Sequence, residues 1–79
     1  MTHIKLFARE GCHLCEAALS ELEQLRRKYP HHVEVIDITT QPALSSTYWD
    51  RIPVVQIGAR EYDAPLTRAL LERALREAR

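Results

Sequence analysis

Two cysteines separated by two residues, Cys12 and Cys15 in Gly11-Cys12-His13-Leu14-Cys15, are where residue type and spacing most directly imply chemistry in this chain. A thiolate attacks a disulfide sulfur, a second thiol resolves the mixed disulfide, and a Cys-x-x-Cys pair supplies both groups. The spacing is nearly one helical turn, so Cys15 can approach the sulfur of Cys12 without unwinding a helix. As a structural staple the bridge would do little, because closing so short a loop hardly restricts the unfolded chain.

A free thiol with pKa about 8.5 is largely protonated at neutral pH, so one of the two sulfurs needs stabilisation as an anion. Cys12 falls where an apolar segment ends and a helical pattern begins, which offers unpaired N–H groups and the positive end of a helix dipole. Arg9 adds a nearby cation and His13 adds another when protonated, while Glu16 opposes them weakly. Cys15 projects onto the apolar face of the same helix and is expected to be the more buried thiol. Two other uses of the cysteines stay open. Half of a zinc site would need four ligands, and even with His31 and His32 no second pair stands at a familiar spacing. Two inert, buried cysteines are the other alternative, against which the strand–glycine–helix context argues.

The elements that would position this pair follow from periodicity. His3 to Ala8 reads as a strand broken by Arg9-Glu10-Gly11. A helix starts next, with Leu14, Cys15, Ala18, Leu19, Leu22 and Leu25 towards one face, and Tyr29-Pro30 ends it. Val33 to Ile38 is β-branched and reads as a second, parallel strand, completing a βαβ unit. Ala43 to Tyr48 suffices for a short helix. Ile52 to Ile57 predicts a third strand, Gly58-Ala59 a hairpin turn, and Arg60 to Tyr62 its partner. Asp63 before Ala64-Pro65 is a candidate cap for a last helix with Leu70, Leu71, Ala74, Leu75 and Ala78 as its buried stripe.

Seventy-nine residues allow one domain spanning positions 1–79, close to the lower limit for a single core. Eleven basic residues balance eleven acidic ones, leaving no overall field to draw the chain to nucleic acid or an anionic membrane. The start lacks a signal-peptide-like apolar run and no stretch approaches the roughly 20 residues of a membrane span, so the expected location is cytoplasmic. In a reducing compartment a cysteine pair is expected to do chemistry.

The runs Phe7-Ala8-Arg9-Glu10-Gly11-Cys12-His13-Leu14-Cys15 and Arg51-Ile52-Pro53-Val54-Val55 resemble a glutaredoxin-like protein of the thioredoxin superfamily, over nearly the whole length. The resemblance implies an α/β, thioredoxin-like (glutaredoxin-type) fold, β-α-β-(short α)-β-β-α, with a four-stranded mixed sheet flanked by helices. It also implies thiol–disulfide exchange, Cys12 attacking and Cys15 resolving. In the family the residue matching Pro53 follows a cis peptide bond and faces the cysteines, and the preceding residue offers its backbone to an extended substrate. Carried over, Ile52 and Pro53 become substrate-site residues, with Arg51, Arg9 and His13 beside them. The chain departs from glutathione-binding members in carrying His13-Leu14 between the cysteines and only Gly58 where a Gly-Gly pair is usual. Asp63 is then a candidate for a γ-glutamyl amino group as well as a cap.

The expected partners are protein or low-molecular-weight disulfides, with glutathione or a thioredoxin-type reductase as electron donor, on a monomer with no tightly bound cofactor. The alternatives are a glutathione-linked one-cysteine mechanism, an iron–sulfur module holding its cluster through Cys12 at a dimer interface, and a non-catalytic binding domain. Elsewhere, His3, His31 and His32 are expected to be solvated and Asp37 to end a strand. Trp49 is expected either to shape a partner surface near the proline loop or to pack on the short helix.

Overall fold

The computed structural model describes residues 1–78. Its elements are β1 (Thr2–Ala8), α1 (His13–Leu25), β2 (His31–Asp37), a 3₁₀ turn (Ile38–Thr40), α2 (Pro42–Tyr48), β3 (Val54–Ile57), β4 (Arg60–Asp63) and α3 (Arg68–Glu77). The strands lie in the order β2-β1-β3-β4. The first pair is parallel and the other two antiparallel, so the sheet is mixed. α1 is the crossover that a parallel β1–β2 pair requires, and Gly58-Ala59 turn β3 directly into β4.

Alternation along β1 divides the interior into two layers. Ile4, Leu6 and Ala8 face one side of the sheet, where they meet Cys15, Ala18, Leu22 and Leu25 of α1 and Leu71, Ala74 and Leu75 of α3. Phe7 faces the other side with Val54, Ile38 and Tyr48, under α2. Leu22 and Leu71 are wholly buried, and burial of such a side chain contributes roughly 1.5–3 kcal/mol. Cys15 therefore belongs to the main core, which fixes the helix that carries it.

Several expectations are corrected. β2 starts at His31 because the parallel ladder with β1 begins at the Thr2–His31 pair. His31 is consequently buried, with Nδ1 2.6 Å from the Tyr29 carbonyl oxygen, whereas His3 and His32 are exposed and meet edge to face. Ile38 leaves the strand for the 3₁₀ turn, which Asp37 caps by accepting from the Thr39 N–H and hydroxyl. Those bonds, the hydroxyl's first, hold the Asp37 carboxyl below its ordinary range.

Leu14 is 66% exposed. It sits on the rim of the stripe centred on Cys15, Ala18 and Leu22, in the first turn of α1. Ala78 is also exposed, as the cap that follows α3. The capping role foreseen for Asp63 falls to Thr67, whose hydroxyl accepts the Leu70 N–H at 3.2 Å. Asp63 is instead the last residue of β4, opposite Val54. Trp49 is 67% exposed, and its neighbour Tyr48 is the buried aromatic.

Candidate functional site

The link from β1 to α1 is a tight turn in which the Cys12 N–H reaches the Arg9 carbonyl at 3.4 Å. Gly11 makes this possible with φ +80°, a region that a side chain disfavours. Cys12 is then the N-cap of α1. Its Sγ accepts the Cys15 N–H at 3.1 Å, so the sulfur occupies the place a serine or aspartate oxygen takes at ordinary helix starts. The two cysteines form a disulfide, with Cα atoms 5.2 Å apart. Cys12 is partly buried and Cys15 is 4% exposed, so Cys12 is the more exposed residue of the pair. The side chains of Arg9 and His13 are exposed beside it.

The proline loop enters β3 at the same end of the sheet. Phe7 pairs with Val54, which puts Pro53 next to the end of β1 from which the cysteine turn departs. The Ile52–Pro53 peptide is cis, as is Ala64–Pro65. Pro53 is buried, and half-buried Ile52 touches both hydrophobic layers, one of which also includes Cys12 and Cys15. The Arg51 and Ile52 N–H groups both donate to the Tyr48 carbonyl, at 2.9 and 3.2 Å.

Arg51 is held from its side chain as well. Nε and Nη2 donate to the two carboxylate oxygens of Asp63, each at 2.9 Å, and Nη2 also donates to Glu61 at 2.9 Å. The guanidinium lies over the Tyr48 ring, 5.0 Å from its centroid. The Tyr48 hydroxyl donates to the second oxygen of Glu61 at 2.7 Å, and its ring stacks on Phe7. Arg51 holds the Asp63 carboxyl below the usual range. Glu61 is lowered first by the Tyr48 hydroxyl and then by Arg51. Reciprocally, the Glu61 bond raises the Tyr48 phenol, and Asp63 followed by Glu61 raises the Arg51 guanidinium.

The structure thus brings Cys12, Cys15, Arg9, His13, Ile52 and Pro53 to one end of the sheet, and joins Arg51 to Asp63 as an ion pair. Glu61 and Tyr48 were missed from sequence. The available signal was the period-two spacing of Glu61 and Asp63, which places both on one face of a strand. An open groove of about 990 Å³ at the opposite end, lined by Thr2, Pro30, Gly58 and Glu77 among others, involves none of these residues.

A family model described as "Glutaredoxin-like domain (DUF836)" matches residues 3–77. The chain belongs to this glutaredoxin-like family. An uncharacterized protein of Mycobacterium tuberculosis is 30% identical over 64 residues, covering 75% of this chain and 66% of that relative, just under two thirds of its length. A structural-genomics target protein from X. campestris, solved by X-ray crystallography, superposes with TM-score 0.83 at 32% identity, over 96% of this chain and 99% of that one. A solution structure from Nitrosomonas europaea gives 0.79 at 30% identity, over 92% and 89%. A chloroplastic thioredoxin z, at 23% identity and TM-score 0.72, covers 99% of this chain and 78% of its own, which establishes the thioredoxin-like fold of the glutaredoxin-like domain. No helix among the described residues is long and apolar enough to cross a membrane.

Proposed function

We propose that the domain is a dithiol–disulfide oxidoreductase. The observation that carries this reading is the Cys12–Cys15 disulfide at the start of α1, with Cys12 partly exposed and Cys15 in the core. In the reduced state the Cys12 thiolate attacks one sulfur of a substrate disulfide, forming a mixed disulfide and releasing one thiolate. The Cys15 thiolate then attacks the Cys12 sulfur, restores the internal disulfide and releases the second thiolate. Two electrons pass from the pair to the substrate, and both released thiolates take up protons from solvent. A thiol or dithiol donor, glutathione or a thioredoxin-type reductase, returns the pair to the dithiol.

The helix start supports the attacking role of Cys12, because N–H groups and the dipole favour an anionic sulfur there. The backbone of Ile52 and Pro53 supplies the platform for an extended substrate. Arg9 and His13 flank the entry.

Titration of the thiols in glutathione or dithiothreitol buffers tests the reading. A two-electron couple between about −280 and −180 mV is expected, the span from thioredoxin to disulfide isomerase. A purified dithiol that forms no intramolecular disulfide under mild oxidation overturns it.

A further inference from the structure

Arg51 is the cation nearest in sequence to the proline loop, and it is paired through Nε and Nη2. Asp63 takes its guanidinium bidentately and Glu61 takes Nη2 a second time, so two carboxylates surround one positive charge. A carboxylate ligand would compete with both for one cation and meet their negative charge, and an ammonium ligand would find both oxygens of Asp63 already accepting.

The charges around this cluster extend the bias. Phe7 pairs with Val54 and Val54 with Asp63, so the ends of β1, β3 and β4 lie side by side. With strands about 4.8 Å apart, Asp63 stands only about 10 Å from the strand that leads into Cys12, near the Debye length at physiological salt. The segments meeting at this end, with the end of β2 opposite Ala8, carry Arg9 and Arg51 as cations against Glu10, Glu16, Asp37, Asp50, Glu61 and Asp63. Two cations against six carboxylates leave an excess of four negative charges, in a chain whose net charge is zero. His13 and the Tyr48 phenol are the other titratable side chains there, beside the cysteines. The electropositive start of α1 acts on Cys12 itself, opposed weakly by Glu16, while the carboxylates together act on what approaches it.

We propose that the site selects peptide disulfides flanked by lysine or arginine and disfavours small dianionic disulfides of the glutathione type. This rests on the exchange reading and names its substrate class. The cysteine pair supplies the reacting atoms. The carboxylates set which substrates reach them, by steering cations in and anions away.

The test uses the pre-reduced full chain in single turnover with cystamine (dicationic), bis(2-hydroxyethyl) disulfide (neutral) and oxidised glutathione (dianionic). Each reaction converts the dithiol to the Cys12–Cys15 disulfide and the probe to two thiols, so no further reductant is needed. The readout is the ratio of cystamine to glutathione-disulfide rate constants, in which any shared loss of folded protein cancels. Raising ionic strength from about 0.02 to 0.5 M, which contracts the Debye length from roughly 20 to roughly 4 Å, is expected to lower the wild-type ratio about tenfold. The variant Glu10→Gln/Glu16→Gln/Asp50→Asn, at three exposed positions, is expected to lower the ratio about tenfold at low salt. If the neutral disulfide reacts but the triple variant leaves the ratio unchanged, the selectivity proposal falls and the exchange reading stands. If none of the three probes oxidises the dithiol, both fall.

Discussion

The backbone N–H of Cys15 donates to the Sγ of Cys12 at 3.1 Å. One sulfur therefore caps the helix that carries the other, and the two thiols are unequal by construction: Cys12 stands at the electropositive end with access to solvent, and Cys15 sits in the core. Cys12→Ser should abolish reaction with disulfides, whereas Cys15→Ser should trap a mixed disulfide on Cys12. Mass spectrometry of the trapped adduct and alkylation rates at graded pH check this. Equal reactivity of the two thiols in alkylation would contradict the capping argument.

The ion pair of Arg51 with Asp63 has a defined pH signature. Asp63 is depressed below its ordinary 3.8 and Glu61 below 4.5, so the stability they contribute is present above those values and lost as pH falls through the lower folded values. Arg51→Gln should lower the thermal midpoint at pH 7, with the deficit closing below about pH 4. Glu61 keeps its bond from the Tyr48 hydroxyl, so the closing gap reports mainly on Asp63. A deficit of constant size from pH 7 to pH 3 would show that Arg51 acts through packing alone.

Adjacent aromatics should behave oppositely. Tyr48 is 8% exposed and stacked on Phe7, while Trp49 is 67% exposed. Tyr48→Ala is expected to cost about 3 kcal/mol, in the range for emptying a buried aromatic site, and Trp49→Ala less than about 0.5 kcal/mol. Urea unfolding of the two variants decides between this and a core role for Trp49.

Thr67 rather than Asp63 caps α3. Thr67→Ala should cost about 1 kcal/mol, as loss of a hydroxyl cap does, and Thr67→Asp should retain most of the stability. Chemical denaturation of both variants checks the assignment; equal losses would show that the hydroxyl bond to the Leu70 N–H contributes little.

Local signals determined much of this protein from sequence alone. The order of strands and helices follows from apolar periodicity, the cysteine turn from Gly11 and the strand-to-helix switch around it, and the inequality of the thiols from the helical projection of Cys15. All depend on neighbours within a turn or two, where the chain's own geometry settles who faces whom. Tertiary structure decided the rest. Asp63 reads as a helix cap until the β3–β4 register places it opposite Val54, where Arg51, twelve residues away, takes its charge. His31 reads as a solvated residue flanking a strand until pairing with Thr2 draws it into β2 and buries it. Tyr48 and Trp49 are equivalent in sequence, and only the docking of α2 onto Phe7 separates them. Hydrogen bonds and burial between residues far apart in the chain carry no local signature, so the Arg51 cluster and the charge it leaves at the site became visible only when the sheet was assembled.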